Sequence, residues 1–313
     1  MFNILHLSDF HFGSPPNRPG FDPKQKVTSL GRCLGGLRRN MFMTTYREDI
    51  SEALSDFIWK KAPEIDVAVI TGDVATTADI ADLDLASDYV RRISEYDTPI
   101  FLLPGNHDRF ADALCRPGEL AFEQQFPAYW TSGSSVRHLV VEKDGMCLAV
   151  VGVDLSLKSE DGSQLSNLHL CGRGKAYEER IREARRRTAR LREKYEGIGV
   201  IWAVHFPPEF PEQDDSLHLD SGSELLEAAT AVGVDHILAG HRHAMRVYHC
   251  GNALVISAGT SMAAYRDNEV NVIHEVLMDV DSGNVTLREI IDHKFEESFG
   301  TFEQIKERRV AIV

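Results

Sequence analysis

Asp9-Phe10-His11 near the start of the chain and Gly240-His241-Arg242-His243 near its end enclose two further strings, Gly72-Asp73 and Gly105-Asn106-His107-Asp108, and a lone His205. Together they supply seven side chains of metal-ligand type: Asp9, His11, Asp73, Asn106, His205, His241 and His243. Every donor is nitrogen or oxygen and none is a thiolate. That set suits Zn, Mn or Fe in a hydrolytic site better than a structural zinc knot. Two divalent cations bring four positive charges, and Asp9 and Asp73 return only two negative ones. The surplus attracts an anion such as phosphate and lowers the pKa of bound water. Asp73 is the residue best suited to bridge both ions, since each carboxylate oxygen can take one. Asn106 is a neutral oxygen donor and leaves its ion more electrophilic than a carboxylate would. Singly, each residue has an ordinary explanation: His11 or His205 as a core or surface histidine, Asp73 as a turn residue, Asn106 as a helix cap. Jointly they point to one site.

Most of these strings follow an apolar run, which places the side chains rigidly at strand ends. Phe2–Leu7 leads into Asp9, the β-branched run Asp66–Thr71 into Asp73, and Pro99–Leu103 into Asn106. Between them, Ile50, Leu54, Phe57 and Ile58, then Leu83, Ala86, Val90 and Ile93, fall at helical spacing. Strand, ligand loop and helix alternate, which indicates an α/β fold. The second half is richer in strands. Val136–Val141 and Cys147–Val153 flank the hairpin signal Lys143-Asp144-Gly145. A helix follows, striped by Tyr177, Ile181, Ala184, Thr188, Leu191 and Tyr195. Ile198–Val204 and Val234–Leu238 read as buried strands with a helix from Ser223 to Val232 between them. Asn252–Ser257, Val270–Asp279 and Val285–Ile290 read as a closing antiparallel set.

The order D-x-H, G-D, G-N-H-D, lone His, G-H-x-H resembles that of the calcineurin-like metallophosphoesterase superfamily, over Leu5 to His243. The resemblance implies two stacked mixed β-sheets flanked by helices, with a dimetal site at strand ends on one edge. It implies that Asp9, His11 and His243 hold one ion, that Asn106, His205 and His241 hold the other, and that Asp73 bridges. It also implies that His107 faces substrate and donates a proton to the leaving oxygen, or stabilises charge there. The reaction implied is in-line attack on phosphorus by a hydroxide held between two divalent or trivalent ions (Mn, Fe or Zn). The substrate class implied is a small phosphate ester.

Departures from the family's subtypes narrow the expectation. Protein serine/threonine phosphatases carry G-D-x-x-D-R-G, whereas Thr76 and Thr77 stand at the second Asp and the Arg. Repair nucleases place an aromatic residue and an Asp where Ala75 and Thr76 lie, and add a further domain for which little chain remains. Cyclic-nucleotide phosphodiesterases often show a second His after the lone one, and Phe206 is there instead. A bacterial-type phosphodiesterase on a small, nucleotide-like substrate is the expectation. A phosphomonoesterase or cyclic-nucleotide phosphodiesterase is the alternative, and a metal-bound scaffold the non-enzymatic one.

The 313 residues are 43% apolar and 26% charged, as expected of a globular chain. They read as one domain over 1–313, with an insert at about 14–47 and a strand or tail at about 280–313. No apolar run approaches a membrane span and no signal peptide is evident. Five scattered cysteines without a C-x-x-C pair favour reduced thiols and a cytoplasmic location. A net charge of −14 argues against nucleic acid as a partner. Two stretches oppose that charge. Residues 173–194 carry ten Lys/Arg and four acids on a helix whose arginines around Arg185-Arg186-Arg187 form a solvated face. Residues 14–47 carry seven Lys/Arg and one acid and leave directly from Asp9 and His11. Arg38 and Arg39 in this insert are candidates to place an anionic substrate, or to contact a second copy of the chain in a homo-oligomer.

Overall fold

The computed structural model describes residues 1–13, 46–76, 80–109, 121–131, 134–156, 174–211, 217–263 and 270–309. Fourteen strands, numbered in chain order, form two six-stranded sheets and a two-stranded ribbon among the described residues. In the first sheet, β1 (Phe2–Leu7), β2 (Val67–Ile70) and β3 (Ile100–Leu102) are parallel neighbours. Helices α1 (Glu48–Lys61) and α2 (Ile80–Ser94) occupy the two connections. On its other side β1 pairs antiparallel with β12 (Val272–Asp281), which continues to β13 (Asn284–Glu296) and β14 (Thr301–Arg309).

The second sheet is also mixed. Its central strands β5 (Met146–Val153), β7 (Gly199–Val204), β9 (His236–Ala239) and β11 (Ala253–Ser257) are parallel. Antiparallel β4 (Val136–Lys143) and β10 (Arg246–Cys250) close its edges. Gly174–Lys175 (β6) and Leu219–Asp220 (β8) form the ribbon.

Alternation along each central strand divides the core. Leu148 and Val150 of β5 and Ile201 and Ala203 of β7 share one apolar cluster with the first sheet, α1 and α2. Their neighbours Ala149, Val151, Val200 and Trp202 point the other way. They pack under α4 (Glu178–Lys194) and α5 (Gly222–Ala231). Trp202 Nε1 donates to Thr188 Oγ1 at 3.0 Å and ties α4 to the sheet. No helix among the described residues is long and apolar enough to cross a membrane.

The mixed two-sheet architecture agrees with the expectation from sequence, and several details differ. The last strand was expected to end at Ile290 but runs to Glu296 and returns as β14. The apolar pattern breaks there because Asp292 and His293 are buried polar residues. They are satisfied across the ladder by His274 and Glu275, at 2.9 and 2.7 Å. Strand β10 was missed because its side chains are mostly not buried. Arg180 of α4 is buried, unlike the exposed Arg182 and Arg186 of the solvated face.

The Glu275 network carries a pH signature. Burial alone would raise its pKa, but the His293 and Asn3 side chains and the Lys61 ammonium hold it at about 2, below the ordinary 4.5. A depressed carboxylate stabilises the fold above its unfolded pKa and loses that contribution as pH falls through the folded value. The urea midpoint of wild type should therefore exceed that of Glu275→Gln at neutral pH, with the gap closing between about pH 4.5 and 2. A gap that stays constant across that range would rule out the charge as its source.

Candidate metal centre

The loops that follow parallel strands of both sheets meet along one edge. Asp9 and His11 follow β1, Asp73 follows β2, and Asn106 and His107 follow β3. His205 follows β7, and His241 and His243 follow β9. In open α/β sheets this carboxyl edge is where ligands bind. The first two loops stay tied beyond their strands. Asp9 N–H donates to Gly72 O at 3.0 Å, His11 N–H to Asp73 O at 3.0 Å, and Phe12 N–H to Val74 O at 2.9 Å.

Five of these side chains stand on backbone in the left-handed region: Asp9 (φ 56°), His11 (53°), Asp73 (53°), His241 (71°) and His243 (49°). For an L-residue this conformation costs ~1–2 kcal/mol. Such strain persists only where surrounding structure imposes it, and it gathers at functional sites. Here it turns consecutive side chains toward one point. The close approach of loops has a second consequence. A Cβ on Gly72 would sit 2.7 Å from Gly105 N and 2.8 Å from His205 Nδ1, and one on Gly105 would run into the Asp73 carboxylate. Only glycine permits that approach.

The cluster is buried, with Asp9, His11 and His205 fully inaccessible and His243 the most exposed member at 19%. His243 Nε2 lies 3.1 Å from Asp9 Oδ1 and 3.3 Å from His11 Nε2. His205 Nε2 lies 3.2 Å from Asp73 Oδ2 and 3.0 Å from Asn106 Oδ1. Asp73 Oδ2 is also 3.9 Å from both His11 Nε2 and His107 Nε2, so it stands between the groups. Three triads have donor atoms within 4.8 Å of one another: Asp9, His11 and His243; Asp73, His205 and His241; and His11, Asp73 and His107. Asp73 and His11 each belong to two of them.

The protonation states favour ligation. Burial alone would raise the Asp9 pKa, but His243 and His11 beside it hold the carboxyl well below the usual range. Burial opposes ionisation of Asp73 too, yet His205 and His107 depress its pKa. Burial lowers His11 and pushes His241 well down, leaving both imidazoles neutral. His205 differs: burial works against its charge, but Asp73 raises its pKa to about 9. A bound cation would displace that proton.

Outer contacts orient the imidazoles of the cluster. His205 Nδ1 faces Thr71 O at 2.7 Å, and a carbonyl can only accept, so Nδ1 carries the proton and Nε2 turns inward. His107 Nδ1 faces Thr76 O at 2.8 Å and is fixed in the same way. His241 N–H donates to Asp9 Oδ2 at 3.1 Å, while its buried Nε2 has no hydrogen-bond partner. A buried imidazole nitrogen without a partner, beside two carboxylates and further imidazole donors, fits a metal ion. The residues present therefore fit two ions.

Several supporting residues were assigned no role from the sequence. Asp108 Oδ1 accepts from Ala75 N–H at 2.9 Å, and its Oδ2 accepts from Gly105 N–H at 2.8 Å, locking the second and third loops together. Thr260 Oγ1 donates to Asp9 O at 2.9 Å, and Ser8 N–H donates to Ser261 Oγ at 3.0 Å. These two follow β11, and nothing in the string Ser257-Ala258-Gly259-Thr260-Ser261 signals that task. Arg38 and Arg39 lie outside the described residues. The C-terminal end of their insert is anchored: Tyr46 packs against Phe12 in a tilted contact with ring centroids 4.4 Å apart, and Arg47 pairs with Asp49 and Glu297.

Two stacked mixed sheets that gather a buried His/Asp cluster along one edge define the metallophosphoesterase fold. The chain belongs to the calcineurin-like phosphoesterase family, whose profile matches residues 2–245. Members are mostly phosphoester hydrolases, and typically bind two metal ions. No curated protein matches the sequence significantly. Among solved structures, the chain is similar to a candidate 5′-nucleotidase of Staphylococcus aureus crystallised with α-ketoglutarate (13% identity, TM-score 0.50, 92% of this chain and 52% of that one). It is also similar to a purple acid phosphatase from seeds of yellow lupin, Lupinus luteus (10% identity, TM-score 0.51, 97% and 52%). The chain thus spans about half the length of each. At such identities the likeness concerns the fold.

Proposed function

We propose that this chain is a dimetal-dependent hydrolase of phosphate esters, and in particular a phosphodiesterase acting on a small, nucleotide-like substrate. The observation that carries the reading is the convergence of Asp9, His11, Asp73, Asn106, His205, His241 and His243 on one buried point, with His107 aimed at the same point. Asp9, His11 and His243 would hold one ion, and Asn106, His205 and His241 the other, with Asp73 shared. The bound ions (Mn, Fe or Zn) would supply positive charge for the phosphate and a water of lowered pKa. His107 would protonate the departing oxygen. Its Nδ1–H is committed to Thr76 O, so a second proton on Nε2 is the one available for transfer. A nucleophilic side chain is not required.

The direct test is a metal-reconstituted screen of linear diesters, monoesters and cyclic nucleotides on one preparation, with bis-(p-nitrophenyl) phosphate and Mn²⁺ as the first probe. Preference for linear diesters supports the proposal. Preference for monoesters or cyclic nucleotides moves it to those substrates. Retention of two ions with no hydrolysis of any class identifies a metal-bound scaffold instead.

Arg38 and Arg39 extend the proposal to the substrate. By sequence, a basic segment follows directly on Asp9 and His11 in a chain of net −14, and its guanidinium groups would pair with a remote anionic group. Replacing both with Ala should raise KM for the preferred nucleotide-like substrate about 10-fold, roughly the loss of 1.4 kcal/mol of binding. Hydrolysis of a small aryl diester should be unchanged. Parallel losses on both substrates, with ions retained, would assign the pair to site architecture instead.

A further inference from the structure

The turn that carries His107 ends in a buried charge cluster that the proposed chemistry does not use. Arg109 is the fourth residue of Asn106-His107-Asp108-Arg109, and its N–H closes the turn on Asn106 O at 3.2 Å. Its guanidinium grips Glu123 with a two-pronged contact, at 2.6 and 2.8 Å, and reaches Asp154 Oδ2 at 2.7 Å. Glu123 belongs to α3 (Ala121–Gln125), while Asp154 directly follows β5 of the other sheet. Asp154 is itself held: its Oδ1 accepts from Ser156 N–H at 2.8 Å, and its carbonyl accepts from Arg180 Nη1 at 3.1 Å. Arg109, Glu123, Asp154 and Arg180 are all buried, none more than 4% exposed.

Buried ion pairs are a poor way to gain stability, because desolvation offsets much of the attraction. What a forked Arg–carboxylate contact does supply is fixed geometry. The placement matters here. His107 arises from the first sheet, whereas His205, His241 and His243 arise from the second. Arg109 links the His107 turn to the second sheet's edge through Asp154.

We infer that Arg109 is a positioning residue that sets the His107 imidazole against the ligand cluster by pinning its turn to Glu123 and Asp154. The inference rests on the reading of His107 as the proton donor. Asp108 fixes the start of the turn to the other ligand loops, and Arg109 fixes its end. With both anchors in place, the His107 ring is held between Thr76 O and the cluster.

Arg109→Lys keeps the charge and loses the fork. With both ions retained, turnover of an alkyl phosphodiester should fall about 10–100-fold, a fraction of what a general acid supplies. Turnover of bis-(p-nitrophenyl) phosphate, whose leaving group needs little protonation, should fall less than about threefold, as for any group acting through proton donation. In a His107→Ala background Arg109→Lys should cost nothing further, because residues acting as one unit are not additive. Equal losses on both esters, a full further loss in the double variant, or no loss at all would overturn the inference. Glu123→Gln, which preserves shape and one acceptor, repeats the test should the lysine variant fail to fold.

A readout independent of turnover separates this inference from the proposed activity. Ring-nitrogen NMR of the metal-free protein, assigned through His107→Ala, should show one His107 tautomer in wild type, with the proton on Nδ1. In Arg109→Lys it should show a mixture. If wild type hydrolyses no phosphate ester, the activity reading fails while the tautomer still decides the positioning role. An unchanged tautomer in Arg109→Lys would leave Arg109 as an ordinary structural tie.

Discussion

Asp73→Asn is expected to strip the site of metal. One Asp73 oxygen lies 3.2 Å from His205 Nε2 and 3.9 Å from His11 Nε2, and the other accepts the His107 N–H at 2.8 Å. Among the described residues, Asp73 is the carboxylate that belongs to two of the triads. Without its charge, neither half keeps the anionic donor they share, and Asn can present only one oxygen. Loss of an outer-shell partner alone typically costs ~10–100-fold in affinity or activity. Loss of a ligand common to both positions should exceed that, so turnover should drop by more than ~10²-fold and bound metal fall well below two per chain. Metal analysis after dialysis, beside a turnover assay, decides the matter. Two tightly held ions with near-normal turnover would remove Asp73 from the bridging position.

The parts of this site that sequence reveals are those that depend on residue type. Imidazole, carboxylate and amide donors must be His, Asp and Asn, and the strands before them must be apolar to be buried. Asp9, His11, Asp73, Asn106, His107, His205, His241 and His243 were therefore visible as strings behind apolar runs, and the two-sheet fold was visible through family resemblance. What depends on backbone or on long-range contact was not visible. Nothing in the letters Asp-Phe-His announces that both ends of the string adopt positive φ. Asp108 stood inside a quoted string without a role, because its partners Gly105, Val74 and Ala75 lie mostly on another loop. Thr260 and Ser261 support Ser8 and Asp9 from more than 250 positions away. Strand β14 escaped because Asp292 and His293 interrupt the apolar alternation of β13, and only the facing His274 and Glu275 explain why they are tolerated. Arg180 was hidden among exposed arginines, since one helix carries both its solvated face and a buried cation.

His107→Ala should separate proton donation from metal binding. The imidazole is close enough for either: its Nε2 is 3.9 Å from Asp73 Oδ2, and with His11 and Asp73 it forms one of the three triads that could hold an ion. The two roles make opposite predictions for metal content. If His107 is a ligand, its loss should release an ion and all substrates should suffer alike. If it is the proton donor, two ions should stay bound and the loss should depend on the leaving group. An alkoxide is a strong base and leaves slowly unless protonated, so alkyl diesters should lose the ~10²–10⁴-fold that a general acid supplies. A p-nitrophenolate is stable without a proton, so bis-(p-nitrophenyl) phosphate should lose far less. The proposed donor must carry a proton on Nε2 while Nδ1–H stays on Thr76 O. Equal losses for both ester types would assign proton donation to another group.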